Sequence, residues 1–503
     1  MNISNLPKSY TLPKFDVPGM VVRTKAAPTW LHMGAGNIFR ILMAGAQQDL
    51  LDAGHTDTGI IVYEAFDEDI VPQAFAPYNN MTLAVTLFAD GRAEKRLIAS
   101  IADAFYCDRS ALELVVAAPS LQMVSFTITE KGYTVDPQRI CTSPATATTA
   151  IEQVVAGLFA RYVAGGAPLA LVSMDNFAEN GTKLEAAVLT VANAWLGQGH
   201  VDTDFIAYLN KLSYPWTMVD KITPRPSEEV AKLLEQEGYT ATEIGQTPKN
   251  TFVASFVNAE AAEYLIIEDN FPNGRPPLEK AGVYMTDRDT VRKMDQMKVC
   301  ACLNPLHTVL AVSGMLLELP TIAKCMQNQH LVKLLHQVAS EALPTVVNPG
   351  IIDPKAFLDE VLNERFPNPF IPDAPARIAC DTSQKVPVRF GVTLQERVKH
   401  NLPLSSLEGI PFFIALWLRY RTGRADTGEM MELSPDPRLP KAFDALHGLA
   451  LGGKMNFTTI LADDATFGVD LYHAGLAQKV EEIFALLNAT PGAVEQTLSK
   501  FYA

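Results

Sequence analysis

The stretch Pro28-Thr-Trp-Leu-His-Met33, running into Gly34-Ala-Gly36-Asn37-Ile-Phe39-Arg40, decides how the N-terminal part of the chain is read. Its first half is short and apolar, the pattern of a buried strand. Its second half is a glycine turn that opens a helical pattern through Met43, Ala46, Leu50 and Leu51. Strand, glycine turn and helix in that order make a G-x-G a candidate for dinucleotide binding. Gly34 would permit the tight turn. Gly36 would let a pyrophosphate approach the backbone at the helix N-terminus, where unpaired N–H groups and the helix dipole favour an anion. Phe39 replaces the third glycine of G-x-G-x-x-G, so the motif alone leaves an ordinary two-glycine turn open.

A second apolar run, Gly59-Ile-Ile-Val-Tyr-Glu64, ends in an acid 28 residues after Gly36. An acid there can bind both ribose hydroxyls and repel a 2′-phosphate. The spacing is longer than the usual ~20, which the extra turn Gly54–Gly59 accommodates. Glu64 alone could equally be a solvated strand end; with the glycine motif it favours NAD over NADP. Residues 1–27 read as an irregular lead-in. Alternation over 80–130 (Met81–Leu87, Met123–Thr129) reads as strands, and Ala147–Ala164 as a helix. Pro168-Leu-Ala-Leu-Val-Ser-Met-Asp175-Asn176 is a buried strand with a polar end, followed by Asn180-Gly181 and a helix from Lys183. Ligands of doubly wound sheets lie beyond the carboxyl ends of the strands. Asp175, Asn176 and Asn180 are therefore placed for chemistry, or for ordinary turn duty.

The 503 residues suggest two to four domains. Hydrophobic content of 48% can fill large cores, and the net charge of −15 argues against nucleic acid or an anionic membrane as partner. The N-terminus carries no signal pattern, and no apolar run approaches the roughly 18 residues a bilayer span needs. The six cysteines are scattered, apart from Cys300 and Cys302, whose C-x-C spacing suits neither zinc nor redox chemistry. The nine histidines form no H-x-x-x-H pair, so no metal site is expected. These features predict a soluble, cytoplasmic protein that handles a small molecule.

From Met297 onward the signals turn helical (306–318, 322–342, 354–364, 391–399, 405–422, 440–450, 457–463, 475–486), which puts a domain boundary near 296 and predicts domains 1–296 and 297–503. The chemistry-bearing stretch of this half is Lys298-Val-Cys-Ala-Cys-Leu-Asn304-Pro-Leu-His307. Asn304-Pro305 reads as an N-cap followed by the first helical position, with His307 about one turn further on. Lys298 can act as a base if burial lowers its pKa from ~10.4 towards 7–8. Taken alone, the stretch is equally a core helix with a capping Asn and a satisfied His. A Pro-rich passage, Phe366–Ala376, leads into Arg377-Ile-Ala-Cys-Asp-Thr-Ser-Gln-Lys385. Structureless passages of that length inside a domain are usually functional.

Six anchors occur in order: Gly34-x-Gly36-x-x-x-Arg40; Ser173-Met-Asp175-Asn176 with Asn180-Gly181; Met218-Val-Asp220-Lys221-Ile-Thr-Pro224; Gly274-Arg275-Pro276; Lys298 with Asn304-x-x-His307; and Asn368-Pro369 through Arg377, Asp381, Ser383, Lys385 and Pro387. Together they resemble the polyol-specific long-chain dehydrogenases, which include mannitol 2-dehydrogenase, fructuronate reductase and tagaturonate reductase. The resemblance covers most of the chain. It implies an α/β architecture: an N-terminal Rossmann-type NAD-binding domain, then a mostly α-helical C-terminal domain, with the active site between them and no catalytic metal. It implies Lys298 as general acid/base, Asn176 and Asn304 on the reacting oxygen, and His307 on substrate hydroxyls. Arg377 and Lys385 would contact the far end of the substrate. The cofactor set would be Gly34, Gly36, Asn37, Phe39, Arg40, Glu64, Asp175 and Asp220. One departure stands out: the family places its lysine five residues before the asparagine, whereas Lys298 and Asn304 are six apart. Either a local bulge absorbs the extra residue or the helix begins only at Asn304. The expected reaction interconverts fructuronate and D-mannonate. The alternatives are a mannitol-type polyol dehydrogenase, or an NAD-binding protein without catalysis, which only the displaced lysine supports.

Overall fold

The structure is a computed structural model and describes residues 6–503. The chain divides into two compact units, Met1–Arg292 and Lys293–Ala503. Eight strands of the first unit position its functional residues: β1 (Trp30–Met33), β2 (Ile60–Glu64), β3 (Thr82–Leu87), β4 (Ala93–Ile98), β5 (Ile101–Tyr106), β6 (Met123–Phe126), β7 (Ala170–Ser173) and β8 (Thr217–Asp220). Five of them form a parallel sheet in the order β5-β2-β1-β6-β7. β1, β2, β6 and β7 are buried along their whole length. That is why they read as continuous apolar runs rather than alternating ones: helices cover both faces of such a sheet. The chain runs outward from β1 to β2 and β5, then returns to the other side of β1 at β6. The switch point therefore lies at the carboxyl ends of β1 and β6, where this class of sheet binds ligands.

β3 and β4 pair antiparallel in a second sheet, with Phe256–Glu260 parallel to β3. β8 pairs antiparallel with Tyr264–Glu268. The lead-in is not irregular throughout. Val17–Ala26 is a helix, started by Asp16, whose side chain accepts the Gly19 N–H at 3.1 Å. The helix after β7 begins at Asn180, three residues before the expected Lys183.

The second unit is helical, with Gln329–Ala342, Gly409–Tyr420 and Ala477–Leu487 among its longer helices. Every residue of Gly409–Tyr420 is buried and nearly all are apolar, the pattern of a core helix, with Arg419 the charged exception. The expected helix over 440–450 is instead a 3-10 turn, Lys441–Leu446. By length and composition alone the helical stretch Arg288–Leu316, interrupted at Leu303, could cross a membrane. Of its apolar window, 72% is buried in the protein, as in a core helix.

Candidate active site

Gly34 follows β1 with φ +109°, and its N–H donates to the Tyr63 carbonyl at 2.9 Å. A Cβ there would lie 2.4 Å from the Thr127 carbonyl oxygen, just past β6. The fold itself thus demands the first glycine. At Gly36 a Cβ would meet nothing within 4 Å. The second glycine faces open space at the start of the helix that begins with the partly exposed Asn37. Glu64, only 6% exposed, closes the turn. One carboxylate oxygen accepts the Ala35 N–H at 2.7 Å, and the other accepts those of Phe66 (2.8 Å) and Asp67 (3.0 Å). These bonds exclude the solvated strand end. A carboxylate has about four acceptor positions, so one remains.

Two residues grouped with the cofactor set turn away from it. Phe39 is fully buried and stacks on His32, ring centroids 3.9 Å apart. The Arg40 guanidinium enters the core, where it donates to Thr82 Oγ1 and to the carbonyls of Ala254 and Ala74. Burial pulls its pKa down to about 10. Both belong to the π turn Phe39–Met43 and hold the helix rather than present themselves to a ligand. His32 contacts Ser125 Oγ (2.6 Å) and Thr127 Oγ1 (2.9 Å), and burial drives its pKa well below the ordinary value.

At the end of β7, Asp175 accepts the backbone N–H groups of Ile128 (2.8 Å) and Thr129 (3.0 Å) and the Tyr133 hydroxyl (2.7 Å). Burial raises its pKa. Its carboxylate braces the loop after β6. Asn176, the next residue, is exposed. Asn180 is buried and bonds Thr217 through both ends of its amide. Asp220 is buried at the end of β8.

In the second unit Lys298 is 2% exposed and opens a π turn, Lys298–Cys302. The Leu303 N–H donates to the Lys298 carbonyl (3.2 Å), an i→i+5 bond that takes in one more residue than an α turn. Leu303, at φ −129° and ψ −63°, breaks the helical run, and a regular helix, Asn304–Leu316, follows. Asn304 is therefore a helical residue and not the N-cap. Its side-chain amide makes no hydrogen bond among the described residues. Burial raises the Asp295 carboxyl, with the Lys298 charge pulling the other way.

His307, one turn on, lies with Nε2 2.9 Å from Asp373 Oδ2 but off the hydrogen-bond axis. Burial lowers its pKa, an effect Asp373 opposes. Burial pushes Asp373 up, but His307 and Arg377 outweigh it and hold the carboxyl below its ordinary value. Arg377 is 69% exposed and donates to Asp373 Oδ1 through Nε (3.0 Å) and Nη2. Lys385 donates to the carbonyls of Ile378 (2.8 Å) and Cys380 (2.6 Å), and burial lowers its pKa.

Residues 28–280 match the mannitol dehydrogenase Rossmann domain, and residues 290–487 match the mannitol dehydrogenase C-terminal domain. The chain belongs to the mannitol dehydrogenase family. A D-mannonate oxidoreductase of Thermotoga maritima is 44% identical, across 97% of this chain and 95% of that one. A mannitol 2-dehydrogenase of Cereibacter sphaeroides is 28% identical, across 85% and 86%. A substrate-free D-sorbitol dehydrogenase has the same fold, with TM-score 0.81 and 24% identity over 99% of this chain and 98% of the other. So does a Pseudomonas fluorescens mannitol 2-dehydrogenase in a ternary complex with NAD and D-mannitol, with TM-score 0.72 and 24% identity over the same shares. The protein is an oxidoreductase of the mannitol dehydrogenase family.

The motifs missed the residues that support the Asn304–Leu316 helix. Arg389 donates through Nη1 to the Asn304 carbonyl (3.1 Å) and to Thr308 Oγ1 (2.5 Å), and burial lowers its pKa to about 10. The available signal was its spacing: four residues after Lys385, hence on the same helical face. Asp373, hidden in the Pro-rich passage, carried no signal.

Proposed function

We propose that the protein is an NAD-dependent oxidoreductase that interconverts fructuronate and D-mannonate, with Lys298 as general acid/base. The observation that carries this reading is the buried lysine amine on the turn leading into the helix of Asn304 and His307. In oxidation the neutral amine takes the proton of the reacting hydroxyl, and in reduction the ammonium returns it. Asn176 and Asn304 are the amide donors for the oxygen as charge develops on it. His307, whose pKa burial lowers, binds an adjoining hydroxyl. Bound NAD supplies the hydride acceptor. Gly34, Gly36 and Asn37 would hold its phosphates, Glu64 the adenosine ribose through its remaining acceptor position, and Asp220 is the further cofactor contact. The open space at Gly36 fits that assignment. The 44% identical D-mannonate oxidoreductase supports the acid substrate, and so do the cations Arg377 and Lys385. The six free cysteines suit a reducing compartment, and the proposal places the enzyme in the cytoplasm.

One observation favours a polyol substrate instead: Arg377 is already paired with Asp373, and Lys385 is engaged by two carbonyls. A panel of fructuronate, tagaturonate, fructose and fructose phosphate with NADH separates the readings. Fructuronate is expected to react fastest, and Arg377→Ala to raise KM for fructuronate but not for fructose. Faster reduction of fructose would replace the acid reading with the polyol one, and no turnover of any of the four would remove both.

A further inference from the structure

The extra residue before Asn304 makes the placement of Lys298 a mechanical problem. Lys298 sits on a π turn, Asn304 and His307 on a regular helix, and Leu303 breaks the run between them. Two side chains from one neighbouring segment bond on either side of that break. The Thr393 hydroxyl donates to the Cys300 carbonyl (3.3 Å), before Leu303. Arg389 donates to the Asn304 carbonyl and to Thr308, after it. Thr308 adds its own hydroxyl to the Asn304 carbonyl at 3.0 Å. The segment that supplies them is helical and closely packed. Arg389 lies on a second π turn, Pro387–Gly391, and Thr393 on the helix Val392–Lys399 that continues it. Gly391 packs backbone to backbone against Gly468: a Cβ on Gly468 would lie 2.6 Å from the Gly391 Cα. Arg389 has no carboxylate partner among the described residues. Its guanidinium is instead committed to the first turn of the Asn304 helix.

We propose that Arg389 and Thr393 are positioning residues that clamp the two sides of the Leu303 break, so that the lysine on the π turn meets the same substrate oxygen as Asn304. The proposal rests on Lys298 being the base. A misplacement of about 1 Å can cost ~10²-fold in rate, so a hydrogen-bonded clamp is enough to matter.

The test is a double-mutant cycle on alcohol oxidation with NAD, using D-mannonate or the polyol of the best panel substrate. Thr393→Val removes one donor with little change of volume, and Arg389→Met removes the other. Each is expected to lower kcat about 10–100-fold with KM for NAD unchanged, and to move the pH at which oxidation rises. Thr393→Ser should recover most of the loss. In a Lys298→Ala background neither change should cost more than about threefold, because the group they position is gone. Losses that multiply in that background, or a Thr393→Val enzyme with wild-type kcat and pH profile, would overturn the clamp. Should Arg389→Met not fold, Thr393→Val alone decides. A Lys298→Ala enzyme with near-normal oxidation defeats the base assignment, and the clamp with it, whereas a lost pH rise combined with multiplying losses defeats the clamp alone.

Discussion

Among the described residues the Asn304 amide has no hydrogen-bond partner, and Asn176 is exposed beyond the end of β7. Both are expected to act on the oxygen only as charge develops there. Asn176→Ala and Asn304→Ala should each lower the chemical step by ~10²–10³ while leaving NADH affinity nearly intact, as read by single-turnover rates and fluorescence titration. A parallel loss of NADH affinity would assign them to the cofactor. Glu64 is different, because it has two jobs. Its carboxylate joins Ala35 to Phe66 and Asp67, and one acceptor position is left for a ribose. Glu64→Ala should weaken NADH, relax rejection of NADPH, and lower stability by ~1–3 kcal/mol for the amides left without a partner. Wild-type use of NADPH as readily as NADH would contradict the ribose role, and an unchanged melting temperature the structural one.

At the scale of the element, the two glycines of the β1 turn should separate cleanly. Gly34→Ala meets the Thr127 carbonyl at a positive φ and should destabilise by at least ~2 kcal/mol. Gly36→Ala has room for its methyl, so it should fold normally and lose NADH affinity. Thermal melts and NADH titrations of both variants check this, and equal destabilisation by both would take the open space at Gly36 out of the argument. The strand-turn-helix unit was legible because burial on both faces of a parallel sheet leaves an unbroken apolar run, and because the turn has a glycine signature. The fate of Arg40 was not legible, since nothing in local sequence says that an arginine will be buried by carbonyls from residues 74 and 254. The π turn at Lys298 was foreseen only as one of two ways to absorb an extra residue. The side chains that bond on either side of it, Arg389 and Thr393, come from far along the chain. The N-cap reading of Asn304-Pro305 erred by one position for the same reason: the backbone break falls at Leu303, which carries no capping side chain.

His32 is buried in the first unit, and burial lowers its pKa, which gives the protein a predictable acid limit. Burial holds the folded-state pKa of His32 well below its unfolded value of ~6.5. The unfolded chain therefore binds the extra proton: this stability is fully present above pH ~6.5 and is lost as pH falls below it, by up to ~1.4 kcal/mol per unit. Urea melts at pH 7.5 and 5.5 should show a smaller acid loss in His32→Gln than in wild type, and equal losses would exclude His32 as the cause. The chemistry of the assembled enzyme is tested most directly by the pH dependence of alcohol oxidation in Lys298→Ala. The wild-type rate should rise with pH as the lysine becomes neutral. Lys298→Ala should lose that rise and keep only a small residual rate, and Lys298→Arg should not rescue it, because a guanidinium does not give up its proton. A Lys298→Ala enzyme that oxidises at near-wild-type rate, with the rise intact, would contradict the account and move the search for the base to His307.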